Sequence, residues 1–167
     1  VQVNKAIGEQ NNKNVSIKDG MDISICCIDR SNNTIEYSGA NNSFYFLKNK
    51  QNKLLDINVK LEDNNYCFYE IKPNKMAIGG GTNHVNYKTH KFSLNKGDVI
   101  YLFSDGYADQ FGGEKGKKFK STAFRALLLS ISTYNMTEQK RTINKVFQEW
   151  KGGIEQLDDV CVMGVKI

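Results

Sequence analysis

Two acidic positions in this sequence of 167 residues stand where carboxylates can do chemistry. Asp105 ends the apolar run Val99-Ile100-Tyr101-Leu102-Phe103, and the following Gly106 lets the backbone turn sharply. Asp158 and Asp159 precede a second apolar run that begins at Val160. If the two runs are neighbouring strands, their carboxylates converge at one rim of a sheet. Carboxylates gathered without His or Cys are hard-oxygen ligands, suited to Mg²⁺ or Mn²⁺. Two such ions about 3.5–4 Å apart share a bridging water, lower its pKa and clamp a phosphoryl oxygen. The same residues also read as turn or N-cap aspartates, since Ser-Asp-Gly and Asp-Asp are common turn strings.

Other chemistries find less support. Cys26, Cys27, Cys67 and Cys161 lie in apolar, strand-like runs with no C-x-x-C spacing, so they are expected to be small buried hydrophobes in a reduced cytoplasm. With only His84 and His90 to help, zinc ligation is not expected. The loop Ile78-Gly79-Gly80-Gly81-Thr82 lacks the spacing of a dinucleotide fingerprint. Phe111 stands where a phosphate-binding loop ending at Lys118 needs its first glycine, which argues against a nucleotide kinase or GTPase. The net charge is +5, with Lys115, Lys117, Lys118 and Lys120 clustered. These read first as a solvated loop, and second as a surface for an anionic partner or for steering a phosphorylated substrate. No basic stripe interleaved with aromatics occurs, so nucleic acid is not an expected partner.

The elements that must position these groups follow from the pattern. A hydrophobic content of 40% with 25% charged residues is that of a water-soluble globular domain, and the length suggests one domain over residues 1–167. No run reaches 18 apolar residues, so no membrane contact by this segment is expected. Val3–Gly8 reads as a helix end and Glu9–Lys18 as a polar loop. Asp22–Ile28 reads as a central strand. Further strands are expected at Thr34–Ser38, with Ile35 and Tyr37 on one face, and at Ser43–Leu47, Leu54–Val59, Tyr66–Ile71, Tyr87–Leu94 and Val99–Phe103. Phe124, Leu127, Leu128 and Ile131 form one helical stripe, and Ile143, Val146, Phe147 and Trp150 another. Lys151-Gly152-Gly153 stops the second helix, and residues 158–167 read as a buried strand entered by two carboxylates. Runs of strands followed by helices argue an α+β fold on mostly antiparallel sheets.

The strings Asp19-Gly20-Met21-Asp22, Tyr37-Ser38-Gly39-Ala40-Asn41-Asn42, Ile100 through Gly113, Trp150-Lys151-Gly152 and Gln156-Leu157-Asp158-Asp159-Val160 occur in that order. Together they resemble the SpoIIE branch of the metal-dependent, type 2C serine/threonine protein phosphatases, from about Asp19 to the C-terminus. The resemblance implies an α-β-β-α sandwich of two mostly antiparallel sheets flanked by helices, with two Mn²⁺ or Mg²⁺ ions per complete site. It places Asp105 and Asp158 among the metal ligands, with Asp159 as a further one. Gly106 and Asn41 become candidates on the substrate side, Gly106 by close backbone approach; Asn41, in a Gly-Ala-Asn turn, reads first as turn geometry and second as substrate-side polarity. Asp19 and Asp22 are assigned to turn and strand-end roles.

One family element is missing. The string Gly-Asp-x-Thr-Gly-His-Gly, whose aspartate bridges the two ions in the family, does not occur. The expectation is therefore a phosphatase-like domain truncated at its N-terminus. The resemblance implies a parent protein that hydrolyses phosphoserine or phosphothreonine in a partner protein in bacterial signalling, by direct attack of a metal-activated water. It would sit in the cytoplasm, as the output domain of a larger sensor in one version. The segment alone is expected to be inactive, and its exposed apolar surface to favour a homodimer. The rival expectation is a non-catalytic pseudophosphatase that relays signals by binding.

Overall fold

Alternation along residues 34–40 puts Ile35 and Tyr37 on the same face of a strand, and both side chains are buried. The structure, a computed structural model, describes residues 20–79 and 86–167. It divides into two compact units, Val1–Phe44 with Lys72–Ser93, and Tyr45–Ile71 with Leu94–Ile167. The expectations for Val3–Gly8, Glu9–Lys18, Asp19 and Gly80–Thr82 lie outside the described residues.

The first unit carries a three-stranded antiparallel sheet. Strand β1 (Ile23–Asp29) pairs with β2 (Thr34–Ala40), and β2 pairs on its other side with β6 (Thr89–Ser93). The β1–β2 turn is set by Asp29, whose carboxylate accepts the Ser31 and Asn32 amides and the Asn32 side-chain amide at 2.7–3.1 Å. Tyr37 stacks on Phe44 with ring centres 5.0 Å apart, and Phe92 covers the same face. The expectation of a central strand at 22–28 is corrected. β1 lies at the edge of its sheet among the described residues, with Ile25 55% exposed and Cys27 exposed. A continuous apolar run says that both faces tolerate burial, not that something covers them.

In the second unit the sheet order is β10-β7-β3-β5-β4, with β3 at Phe44–Asn49, β4 at Leu61–Glu62, β5 at Tyr66–Ile71, β7 at Val99–Phe103 and β10 at Val162–Lys166. The pairs β10–β7, β7–β3 and β5–β4 are antiparallel. Helices α1 (Gly106–Asp109), α2 (Ser121–Ser130) and α3 (Met136–Lys151) and the two-residue strands β8 (Phe111–Gly112) and β9 (Lys117–Lys118) complete it. Both helical stripes reach the core, where Phe124, Leu128 and Phe147 meet Tyr45, Phe68 and Tyr107. Each such side chain, fully buried, contributes about 1.5–3 kcal/mol. Helix α3 starts in a capping box, with Asn135 Oδ1 accepting the Glu138 amide and Glu138 Oε2 accepting the Asn135 amide. It stops at Gly152, whose φ of 53° suits a residue without Cβ.

Three further expectations change here. Residues 54–59 form no strand, and Leu55 is 92% exposed; Asp56 and Asn58 interrupt the alternation with turn chemistry. β10 is the sheet's edge among the described residues rather than buried, and Met163 is 57% exposed. Of the cysteines only Cys67 is buried; Cys26 is half-buried, and Cys27 and Cys161 are exposed, because both sit on edge strands or at their ends. The mixed α and β content, antiparallel sheets and few helices agree with the expected class. Among the described residues no helix is long and apolar enough to cross a membrane.

Candidate functional site at the ends of β7 and β10

The register Val162↔Phe103 places the end of β7 beside the start of β10. Beyond the ladder the two chains stay joined. The Ser104 amide donates to the Cys161 carbonyl at 3.0 Å. The Ser104 hydroxyl donates to the Asp159 carbonyl at 2.7 Å and accepts from the Cys161 amide at 2.9 Å. Gly106 is required on the other side of Asp105, because a Cβ there would stand 2.5 Å from the Asp159 carbonyl oxygen. The residues flanking Asp105 are thus both in contact with the main chain of Asp159.

Asp105 occupies the N-cap position of α1, and its carbonyl accepts the Asp109 amide at 3.0 Å. Its carboxylate makes no capping hydrogen bond and is exposed. Asp158 Oδ1 accepts the Asp159 amide at 2.7 Å, and the Asp158 carbonyl accepts Gln156 Nε2 at 2.9 Å, so part of this carboxylate shapes its own bend. Asp158 and Asp159 are both exposed. Asn41, in the first unit, has φ +59° and donates from Nδ2 to Asp22 Oδ1 at 2.7 Å. This gives Asp22 the strand-end role expected of it, while Asp19 lies outside the described residues.

Exposed carboxylates are the right donors for Mg²⁺ or Mn²⁺. Their number falls short: among the described residues no three His, Cys, Asp or Glu side chains gather to hold an ion. A cavity of about 740 Å³ lies elsewhere, between α3 and β10, lined by Ile143, Phe147, Val162 and the rings of Tyr101 and Tyr107. Burial pushes both phenols far up, so they stay neutral. Their hydroxyls donate inward, to Gln139 Oε1 and to the Ile143 carbonyl.

Sequence reasoning missed Ser104 as the tie between the two strand ends, and Gln110 as an anchor. Gln110 is buried, donates to the carbonyls of Phe111 and Glu155 at 3.0 Å, and its own carbonyl accepts Trp150 Nε1 at 3.0 Å. Ser104 carried a faint signal as a hydroxyl placed directly after five apolar strand residues.

Among solved structures, the chain is similar to the SiaA-PP2C domain of Pseudomonas aeruginosa, with a TM-score of 0.78 and 23% identity over 99% of this chain and 58% of that one. It is similar to the PP2C phosphatase domain, with a fragment of the regulatory domain, of SpoIIE from Bacillus subtilis, with a TM-score of 0.63 and 15% identity over 98% of this chain and 41% of that one. RsbX in complex with magnesium gives a TM-score of 0.56 and 15% identity over 97% of this chain and 61% of that one. The chain therefore has the fold of PP2C phosphatase domains and spans about half the length of the first two of these structures. No curated protein matches it. The family model of stage II sporulation protein E matches residues 2–167, and the chain belongs to the SpoIIE family.

Proposed function

We propose that this chain is part of a metal-dependent protein serine/threonine phosphatase that acts on a phosphorylated protein in bacterial signalling. The observation that carries this reading is the contact of Ser104 and Gly106 with the main chain of Asp159, which sets two acidic segments side by side. Asp105 and Asp158 would be metal ligands, with Asp159 as a further one; Gly106 and Asn41 would serve the substrate side. Mn²⁺ or Mg²⁺, when bound, would supply a water of lowered pKa and charge neutralisation at the phosphoryl group. The chain's own part is to hold carboxylates at the end of a rigid strand pair and to keep Gly106 free of a side chain.

The donor set described is incomplete, and the Gly-Asp-x-Thr-Gly-His-Gly string is absent from these 167 residues. We therefore read residues 1–167 as one phosphatase-like domain lacking its bridging carboxylate and inactive by itself. Like charges a few ångströms apart repel strongly without a shared anionic ligand. The same shortfall of donors favours one second reading, a signalling module that binds without turnover. A cytoplasmic setting and self-association belong to this proposal as well.

The test is Mn²⁺-dependent release of phosphate from a phosphoserine protein by the full natural protein and by its Asp105→Asn variant. Loss of turnover in the variant supports the assignment. Undiminished turnover removes Asp105 from the site, and no turnover in either protein leaves the binding-module reading.

A further inference from the structure

Lys115, Lys117, Lys118 and Lys120 are all exposed and surround the β8–β9 hairpin, where Glu114 is the only acid between Phe111 and Lys120. Lys118 is engaged: its Nζ donates to Asp109 Oδ2 at 2.9 Å and lies 5.9 Å from the centre of the Phe111 ring. The side chains of Lys115, Lys117 and Lys120 make no ion pair or hydrogen bond among the described residues.

The backbone beneath them is fixed. The Phe119 amide donates to the Gln110 carbonyl at 2.9 Å, the Lys120 amide to Ala108 at 2.7 Å and the Gly113 amide to Trp150 at 2.8 Å. A Cβ on Gly112 would stand 1.9 Å from the Trp150 carbonyl oxygen, so hairpin and helix end are in direct contact. The hairpin is therefore tied to α1, whose first residue follows Asp105. The free ammonium groups are therefore carried on a backbone joined to the helix that begins beside Asp105.

We propose that Lys115, Lys117 and Lys120 form a docking surface for acidic residues that flank the phosphorylated side chain of a protein substrate. The proposal rests on the phosphatase reading for the phosphoresidue and on the fixed hairpin for the flanking acids. Each exposed charge pair is weak, so three together give an affinity gain of about three- to tenfold at low salt, fading as the Debye length shrinks.

The experiment measures binding of this chain to labelled phosphoserine peptides by fluorescence anisotropy. One peptide carries Glu and Asp at several positions on both sides of the phosphoserine, and the other carries Gln and Asn there. The chain is expected to bind the acidic peptide about three- to tenfold more tightly. K115Q/K117Q/K120Q is expected to bind both alike, and K115E/K117E/K120E to prefer a lysine-flanked peptide. Equal binding by the natural chain, a preference that survives the triple substitution, or tighter binding of an oligonucleotide of equal charge would overturn the proposal. The two readings fail separately. A flank preference without phosphate release by the full natural protein keeps the docking surface and removes the phosphatase. Release indifferent to flanking charge removes the docking surface alone.

Discussion

The Ser104 hydroxyl donates to the Asp159 carbonyl at 2.7 Å, from a position where it also accepts the Cys161 amide at 2.9 Å. One side chain thus closes the gap between two strand ends. Ser104→Ala leaves both main-chain partners without it and is expected to cost about 1–2 kcal/mol. Ser104→Thr, which keeps the hydroxyl, is expected to retain most of that stability. Urea unfolding midpoints of the two variants check this.

Gly112 faces the main chain of Trp150, which cannot retreat as a flexible side-chain tip would. Gly112→Ala is expected to destabilise the protein by about 1–3 kcal/mol or more. Trp150 is the only tryptophan, so its fluorescence reports the disturbance directly. An unchanged emission maximum and an unchanged unfolding midpoint would contradict the close contact.

Lys48 and Asp98 form an ion pair at 2.7 Å with both side chains fully buried. Lys48 Nζ also donates to Asn95 Oδ1 at 2.9 Å, and Asp98 Oδ2 accepts the Asn95 amide at 2.9 Å. Removing one charge strands the other, so Lys48→Met or Asp98→Leu alone is expected to cost about 3–5 kcal/mol. The double variant is expected to recover most of the loss, because the desolvation cost disappears with the pair. A double-mutant cycle of unfolding free energies measures the coupling.

His90 lies between Tyr37 and Phe92, with ring centres 6.1 and 6.2 Å away. Burial, aided by the Lys88 charge, holds its pKa below the ordinary 6.5. The unfolded chain therefore binds a proton more readily than the folded one. Stability from this group is full above pH 6.5 and is lost as pH falls through that value, levelling off below the folded pKa. Unfolding free energy against pH is expected to lose this slope in His90→Gln.

Cys27 and Cys161 are exposed, whereas Cys67 is buried and burial pushes the half-buried Cys26 thiol up to about 12. The thiolate is the reactive form. Iodoacetamide is expected to label Cys27 and Cys161 first, and Cys26 and Cys67 only after unfolding. Mass spectrometry of timed samples decides it.

Much of the second unit was legible in the residues. Five apolar positions at 99–103 and the stripes through Phe124 and Phe147 are periodic signals that a strand or helix needs in order to bury itself, and each became such an element. The motif order from Asp19 to Val160 led to the family, because several short strings in a fixed order are far more specific than any one of them. The 54–59 segment and the edge positions of β1 and β10 were not legible. Apolar residues record a capacity for burial, while coverage depends on which elements arrive from far along the chain.

Residue order alone puts Asp105 before a glycine and an aspartate pair before an apolar run. It took the folded chain to show that β7 and β10 are antiparallel neighbours, that Ser104 ties them, and that the lysine hairpin is anchored to α1. Local propensity acts over a few residues, whereas strand pairing between positions almost sixty apart is selected by the free energy of the whole packed chain.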